Sequence, residues 1–150
     1  MLSNYDLEDI AKKNNIILDG VIYKDDIFKI KKKKNMNIII NLQNSDSDGN
    51  GTHWVTLCKR SDKYMYFNSF GVDPPLIIQQ YCEKNLGVNK YICQNINTDV
   101  CGFYCIAFIN YINNTKKVYD VSNEFINLFE SDTKKNKAIL NKYIKHYMKI

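Results

Sequence analysis

Residues 100–115 run for 16 positions without a charged side chain. No other feature of the sequence restricts the fold as strongly. A bilayer span needs about 20 mainly apolar residues, and this stretch is shorter and carries Asn110, Asn113 and Asn114. The spacing of Phe103, Ile106, Ala107, Ile109 and Ile112 predicts a helix over residues 101–112 that is apolar on most faces. Such a helix has to be enclosed, so the rest of the chain must wrap around it. The 150 residues are enough to do so, because a domain of that size buries roughly 70% of the surface its unfolded chain exposes. No internal repeat and no Pro/Gly/Ser-rich linker divides the chain, and residues 1–150 read as a single domain.

The flanking elements follow from local signals. Ser3 ahead of Leu7, Ile10 and Ala11 reads as a capped amphipathic helix that ends near Asn14 and Asn15. The apolar run 36–42 predicts a buried strand, and residues 44–51, all turn formers, an exposed loop. Residues 53–59 and 64–68 are β-rich and only four residues apart, the pattern of an antiparallel hairpin. Pro74 and Pro75 open a helix through about residue 84 that Gly87 ends. A short strand is expected over 90–94, and two helices over 123–129 and 134–148. The sum is an α+β domain, a small mixed or antiparallel sheet packed on one central buried helix.

Composition excludes some functions and leaves others open. Lys, Asn and Ile occur 20 times each, 60 of 150 residues. All three have A/T-rich codons, so the bias describes a genome before it describes a fold. The net charge of +5 permits contact with nucleic acid or an acidic partner without demanding either. Its basic clusters are residues 24–34, with six Lys and two Asp, and residues 131–150, with six Lys and one Asp. Five cysteines (58, 82, 93, 101 and 105) and no secretory signal in the first residues favour reduced thiols over a disulfide framework. Their spacing lacks the paired knuckles of structural zinc, so no metal is expected.

Three short segments place reactive residue types where chemistry could use them. His53 stands at a strand start after a glycine-rich loop, in GTHWV; Asn68 ends the next strand, in YFNSFG; Cys101 opens the buried helix, in CGFYC. A cysteine at a helix N-terminus meets the positive end of the dipole and unpaired N–H groups, which favours its thiolate. A histidine beside it can take the proton, and an Asn on the neighbouring strand can orient the imidazole. Gln94, seven residues before Cys101, could donate to a developing oxyanion together with the Cys101 backbone N–H. Each residue alone has a bland reading: Cys105 and His146 are taken as an ordinary core thiol and a surface histidine, and Asn68 could merely cap a turn.

The ordered set HWV, YFNSFG and Gln94-x6-Cys101-Gly-Phe-Tyr-Cys closely resembles the adenovirus-type (adenain-like) cysteine proteases, which share a papain-like fold with the SUMO-deconjugating proteases. The Gln94 to Cys101 spacing, the NSFG segment and the opening LSNYDLEDIAKK favour the viral branch. The source implied is a DNA virus, virophage or polinton-like element with an A/T-rich genome. One departure is Asn68, which stands where the adenovirus enzyme has an acid.

The resemblance implies a viral cysteine endopeptidase that cleaves capsid or other virion precursors during maturation, after Gly-Gly-X or Gly-X sequences. Cys101 would be the nucleophile, His53 the base, Asn68 its orienter and Gln94 an oxyanion donor; Trp54, Gly51 and Gly102 would line the substrate cleft. No cofactor is required, although the family includes members activated by a peptide or by DNA. A monomer without membrane association is expected, in the virion and, during assembly, in host cytoplasm or a virus factory. Two alternatives stand beside it: an isopeptidase of the deSUMOylase or deubiquitinase kind acting on host modifiers, and a basic nucleic-acid-binding virion protein using the Lys clusters.

Overall fold

The computed structural model describes residues 1–46, 53–115 and 120–150. Five strands, β1 (Gly20–Tyr23), β2 (Asn35–Asn41), β3 (Trp54–Arg60), β4 (Lys63–Phe67) and β5 (Leu86–Val88), lie in sequence order across one sheet. The central β2–β3 and β3–β4 pairs are antiparallel, and both edge strands pair parallel to their neighbours. Among the described residues five α-helices accompany it: α1 (Asn4–Lys13), α2 (Leu76–Cys82), α3 (Cys101–Asn114), α4 (Val121–Ile126) and α5 (Asn136–Tyr147). This is the α+β arrangement read from the sequence, with a mixed sheet.

The period-2 alternation of strands splits the core in two. Ile38, Ile40, Val55, Leu57, Tyr64 and Tyr66 face one side, where Ile27, Ile78 and Tyr81 cover them. Ile39, Trp54, Cys58, Met65 and Phe67 face the other, against α3. Ten of the 14 residues of α3 are buried, because α1, α4 and α5 close its remaining faces. Phe67 shows how the layers lock: its ring stacks on Phe108 at 4.8 Å and meets Phe125 edge-on at 5.2 Å. Ser3 caps α1 through a reciprocal box with Asp6, as its position in the sequence indicates.

Three expectations need correction. Residues 90–94 form no strand; β5 lies earlier, at Leu86–Val88, and Gly87 sits inside it rather than ending a helix. Helix α2 stops at Cys82 because Glu83 adopts φ +60°, and Asn85 has the same sign. The helix expected over 123–129 lies earlier, at Val121–Ile126. Strand β1 answers to no local signal: three half-buried residues and the exposed Tyr23 carry no alternation, and only pairing with β2 makes them a strand. Residues 47–51 of the anticipated loop, Gly51 among them, lie outside the described residues.

Phe67→Ala should remove contacts on both the sheet and α3 sides of the core. A buried Phe truncated to Ala costs about 3–5 kcal/mol, so denaturant unfolding of this variant should show a loss of that size. A loss below about 1 kcal/mol would mean that the aromatic cluster is not what joins these layers.

Candidate active site

The site lies where β3 begins, β4 ends and α3 starts. His53 Nε2 is 2.7 Å from Asn68 Oδ1. That oxygen also accepts the backbone N–H of Phe70 at 2.9 Å, which fixes it as the oxygen of the amide, since an N–H cannot donate to an NH2 group. The neutral imidazole must then carry its proton on Nε2 and donate it to Asn68. Nδ1 is left with a free lone pair, so the ring is held as the tautomer that can act as a base.

Phe70 serves His53 a second time, stacking on the imidazole with centroids 4.5 Å apart and planes 25° off parallel. The turn that allows this is built on Gly71, at φ +70°. A Cβ there would lie 2.7 Å from the Tyr91 carbonyl carbon and the Ile92 nitrogen. Both the backbone conformation and the space therefore require glycine.

Asn68 is itself clamped. Its N–H donates to Asn89 Oδ1 at 2.9 Å, and Asn89 Nδ2 donates back to the Asn68 carbonyl at 2.7 Å. Among the described residues, the buried Tyr66 hydroxyl has no partner of good geometry; the Asn68 amide is its polar neighbour. Ser69, Phe70 and Asn89 are the residues that sequence reasoning missed. The NSFG motif pointed at the first two; Asn89, one of 20 asparagines, carried no signal.

Cys101 is the first residue of α3 and only 3% exposed. Burial pushes its thiol up, while the backbone N–H groups of Trp54, Gly102 and Cys101 pull the other way. The Trp54 contact places the thiol beside the residue that follows His53. Burial also draws His53 below its usual value, partly offset by Asn68. The helix terminus was expected to favour a thiolate; here desolvation outweighs it. The other four cysteines are buried and free, with Cys58, Cys82 and Cys93 each pushed up to about 12 by burial.

Gln94 is buried in the segment leading into α3. Its Oε1 accepts the Ser69 hydroxyl at 2.6 Å, and its Nε2 donates to the Thr98 carbonyl at 3.0 Å. Trp54 is 6% exposed, with its indole N–H donating to the Leu2 carbonyl at 3.0 Å. Gly102 is closed on its Cα side by Leu2 and Leu7, at 3.2 and 3.3 Å from an added Cβ. A cleft of about 280 Å³ opens beside Trp54 between Leu2, Val21, Ile22 and Asn41. The structure thus joins His53 to Asn68 directly, places Cys101 at Trp54 and sets Gln94 in the preceding loop. Gly51 lies outside the described residues.

No protein-family model and no curated protein matches the sequence. Among solved structures, the selenomethionine form of the ASFV pS273R protease aligns with TM-score 0.51 and 22% identity, over 80% of this chain and 46% of that one. A second crystal structure of the ASFV pS273R protease gives TM-score 0.51 and 18% identity, over 81% and 45%. The fold is the one seen in the ASFV pS273R protease. The chain spans less than half the length of the protease it matches.

Two measurements test the electrostatics. Because burial holds the Cys101 thiol up, the rate of its alkylation by iodoacetamide should keep rising from pH 7 to 9. A plateau reached below pH 6 would instead reveal a preformed thiolate–imidazolium pair. Asn68→Asp places a carboxylate on His53 and should raise the His53 pKa by at least one unit in an NMR titration. An unchanged titration would place residue 68 out of contact with the ring.

Proposed function

We propose that the protein is a viral cysteine endopeptidase that processes capsid or other virion precursors. The observation that carries this reading is the linked arrangement of Asn68, His53 and the α3 N-terminus: an imidazole held as the Nε2–H tautomer, with Cys101 against the adjoining Trp54 N–H. The fold shared with the ASFV pS273R protease supports it.

The chemistry follows from this chain's own groups. His53 Nδ1 takes the Cys101 proton as sulfur attacks the scissile carbonyl carbon. The resulting oxyanion is met by the Cys101 N–H and by an amide hydrogen of Gln94. As the C–N bond breaks, His53 returns the proton to the leaving amine and a thioester remains. A water molecule, deprotonated by His53, attacks the thioester; sulfur leaves and recovers the proton. Asn68 is neutral and cannot balance an imidazolium as an acid would, which agrees with a proton that moves during attack rather than before it.

Cleavage after Gly-Gly-X or Gly-X sequences is what the resemblance implies, with Trp54 as the residue that would roof the cleft. Trp54 is buried here, its indole N–H held by the Leu2 carbonyl.

The test uses a recombinant virion precursor and a fluorogenic ubiquitin-like substrate in parallel, with new termini mapped by mass spectrometry. Cleavage of the precursor after glycine, lost in Cys101→Ala and largely retained in Cys105→Ala, is the expected result. Turnover of the ubiquitin-like substrate alone would assign deconjugation of host modifiers. Retention of cleavage by Cys101→Ala would sink the cysteine-protease reading itself.

A further inference from the structure

Ser69 stands between two groups that the proposed mechanism uses. It follows Asn68 in the chain, and its hydroxyl reaches Gln94 Oε1 at 2.6 Å, both residues being almost wholly buried. Its carbonyl also accepts the backbone N–H groups of Cys93 and Gln94, at 2.9 and 3.0 Å. Residue 69 is therefore tied three times to the segment that enters α3.

The direction of the side-chain bond is determined. The Thr98 carbonyl, 3.0 Å from Gln94 Nε2, can only accept, so the amide must turn its NH2 group that way. Its oxygen then faces Ser69, whose hydroxyl has to donate. With that donor removed, the buried Oε1 has no partner, and the amide is free to swing in search of one.

We propose that Ser69 is a positioning residue for acyl transfer, its hydroxyl fixing the Gln94 amide with Oε1 turned to Ser69 and Nε2 turned to the Thr98 carbonyl and hydroxyl oxygens. This rests on the reading of Gln94 as an oxyanion donor. It gives the strand end that orients His53 a direct link to the loop that stabilises the oxyanion, so one short segment, residues 68–70, sets both halves of the machinery. An oxyanion donor acts on the transition state and not on the ground state, so a displaced amide shows in kcat and leaves KM and thiol reactivity alone.

The experiment is a double-mutant cycle on residues 69 and 94, read on a peptide that the wild-type protein cleaves, with iodoacetamide alkylation of Cys101 alongside. Removing a well-placed oxyanion donor lowers kcat roughly 10²–10³-fold. Ser69→Ala should lower kcat by about tenfold or more, within that range's upper bound. Its KM and alkylation rate should stay within about twofold of wild type, as expected for a group that acts only on the transition state. Ser69→Thr, which keeps the hydroxyl, should recover most of the loss. The double variant Ser69→Ala/Gln94→Ala should be no slower than Gln94→Ala.

Wild-type kcat in Ser69→Ala, or losses that multiply in the double variant, would overturn the proposal. So would alkylation falling in step with turnover, which marks a purely structural role. If Ser69→Ala does not fold, Ser69→Cys keeps the volume, weakens the donor and is read against the same outcomes. A Gln94→Ala variant with wild-type turnover would remove the oxyanion reading and this proposal with it; that result is separate from a failure at Ser69 alone.

Discussion

A helix that is apolar on most of its faces cannot be left on a surface, and the architecture follows from that requirement. Burying ten residues of α3 takes a sheet on one side and α1, α4 and α5 around the rest. The apolar area removed from water is the main favourable term. It is also directional in effect, because a helix surrounded on all faces can expose only its ends. The N-terminus lies at the rim where β3 begins, so Cys101 sits against the backbone of Trp54, the residue that follows His53.

The charge acting on Cys101 is that of Asp99, which is paired with the N-terminal ammonium. The partner of His53 is an amide, burial draws the imidazole below its usual value, and the same cause pushes the Cys101 thiol up. Order comes from hydrogen bonds to fixed backbone groups. Asn68 Oδ1 collects the Phe70 N–H and the His53 ring, and Asn89 holds the Asn68 peptide from behind. Buried networks of this kind are costly when incomplete, and here nearly every member has its partner. The Tyr66 hydroxyl, next to the Asn68 amide, is the exception.

The shared fold with the ASFV pS273R protease extends over about four-fifths of this chain but under half of that protease. Two strand ends and one helix start frame the candidate site in this chain. A unit this small can hold such a site because its positions are set by strand ends and one helix start, elements fixed by the core itself. Loops contribute through short turns, the tightest of which depends on Gly71 at φ +70°.

The sequence by itself determined the central helix, the β3–β4 hairpin, the Ser3 cap and the four residues His53, Asn68, Gln94 and Cys101 as candidates. Each rests on a signal contained within a few neighbouring residues: an uncharged run, an alternation, a cap, a motif. Only the tertiary structure decided the rest. Strands β1 and β5 exist because β2 and β4 offer them partners, and four or three residues have no periodicity to read. Burial lifted the Cys101 thiol against the helix dipole, since desolvation depends on everything packed around a group and not on its place in a helix. The roles of Asn89 and Ser69 are set by hydrogen bonds across 21 and 25 positions of sequence, a distance over which no local pattern carries information.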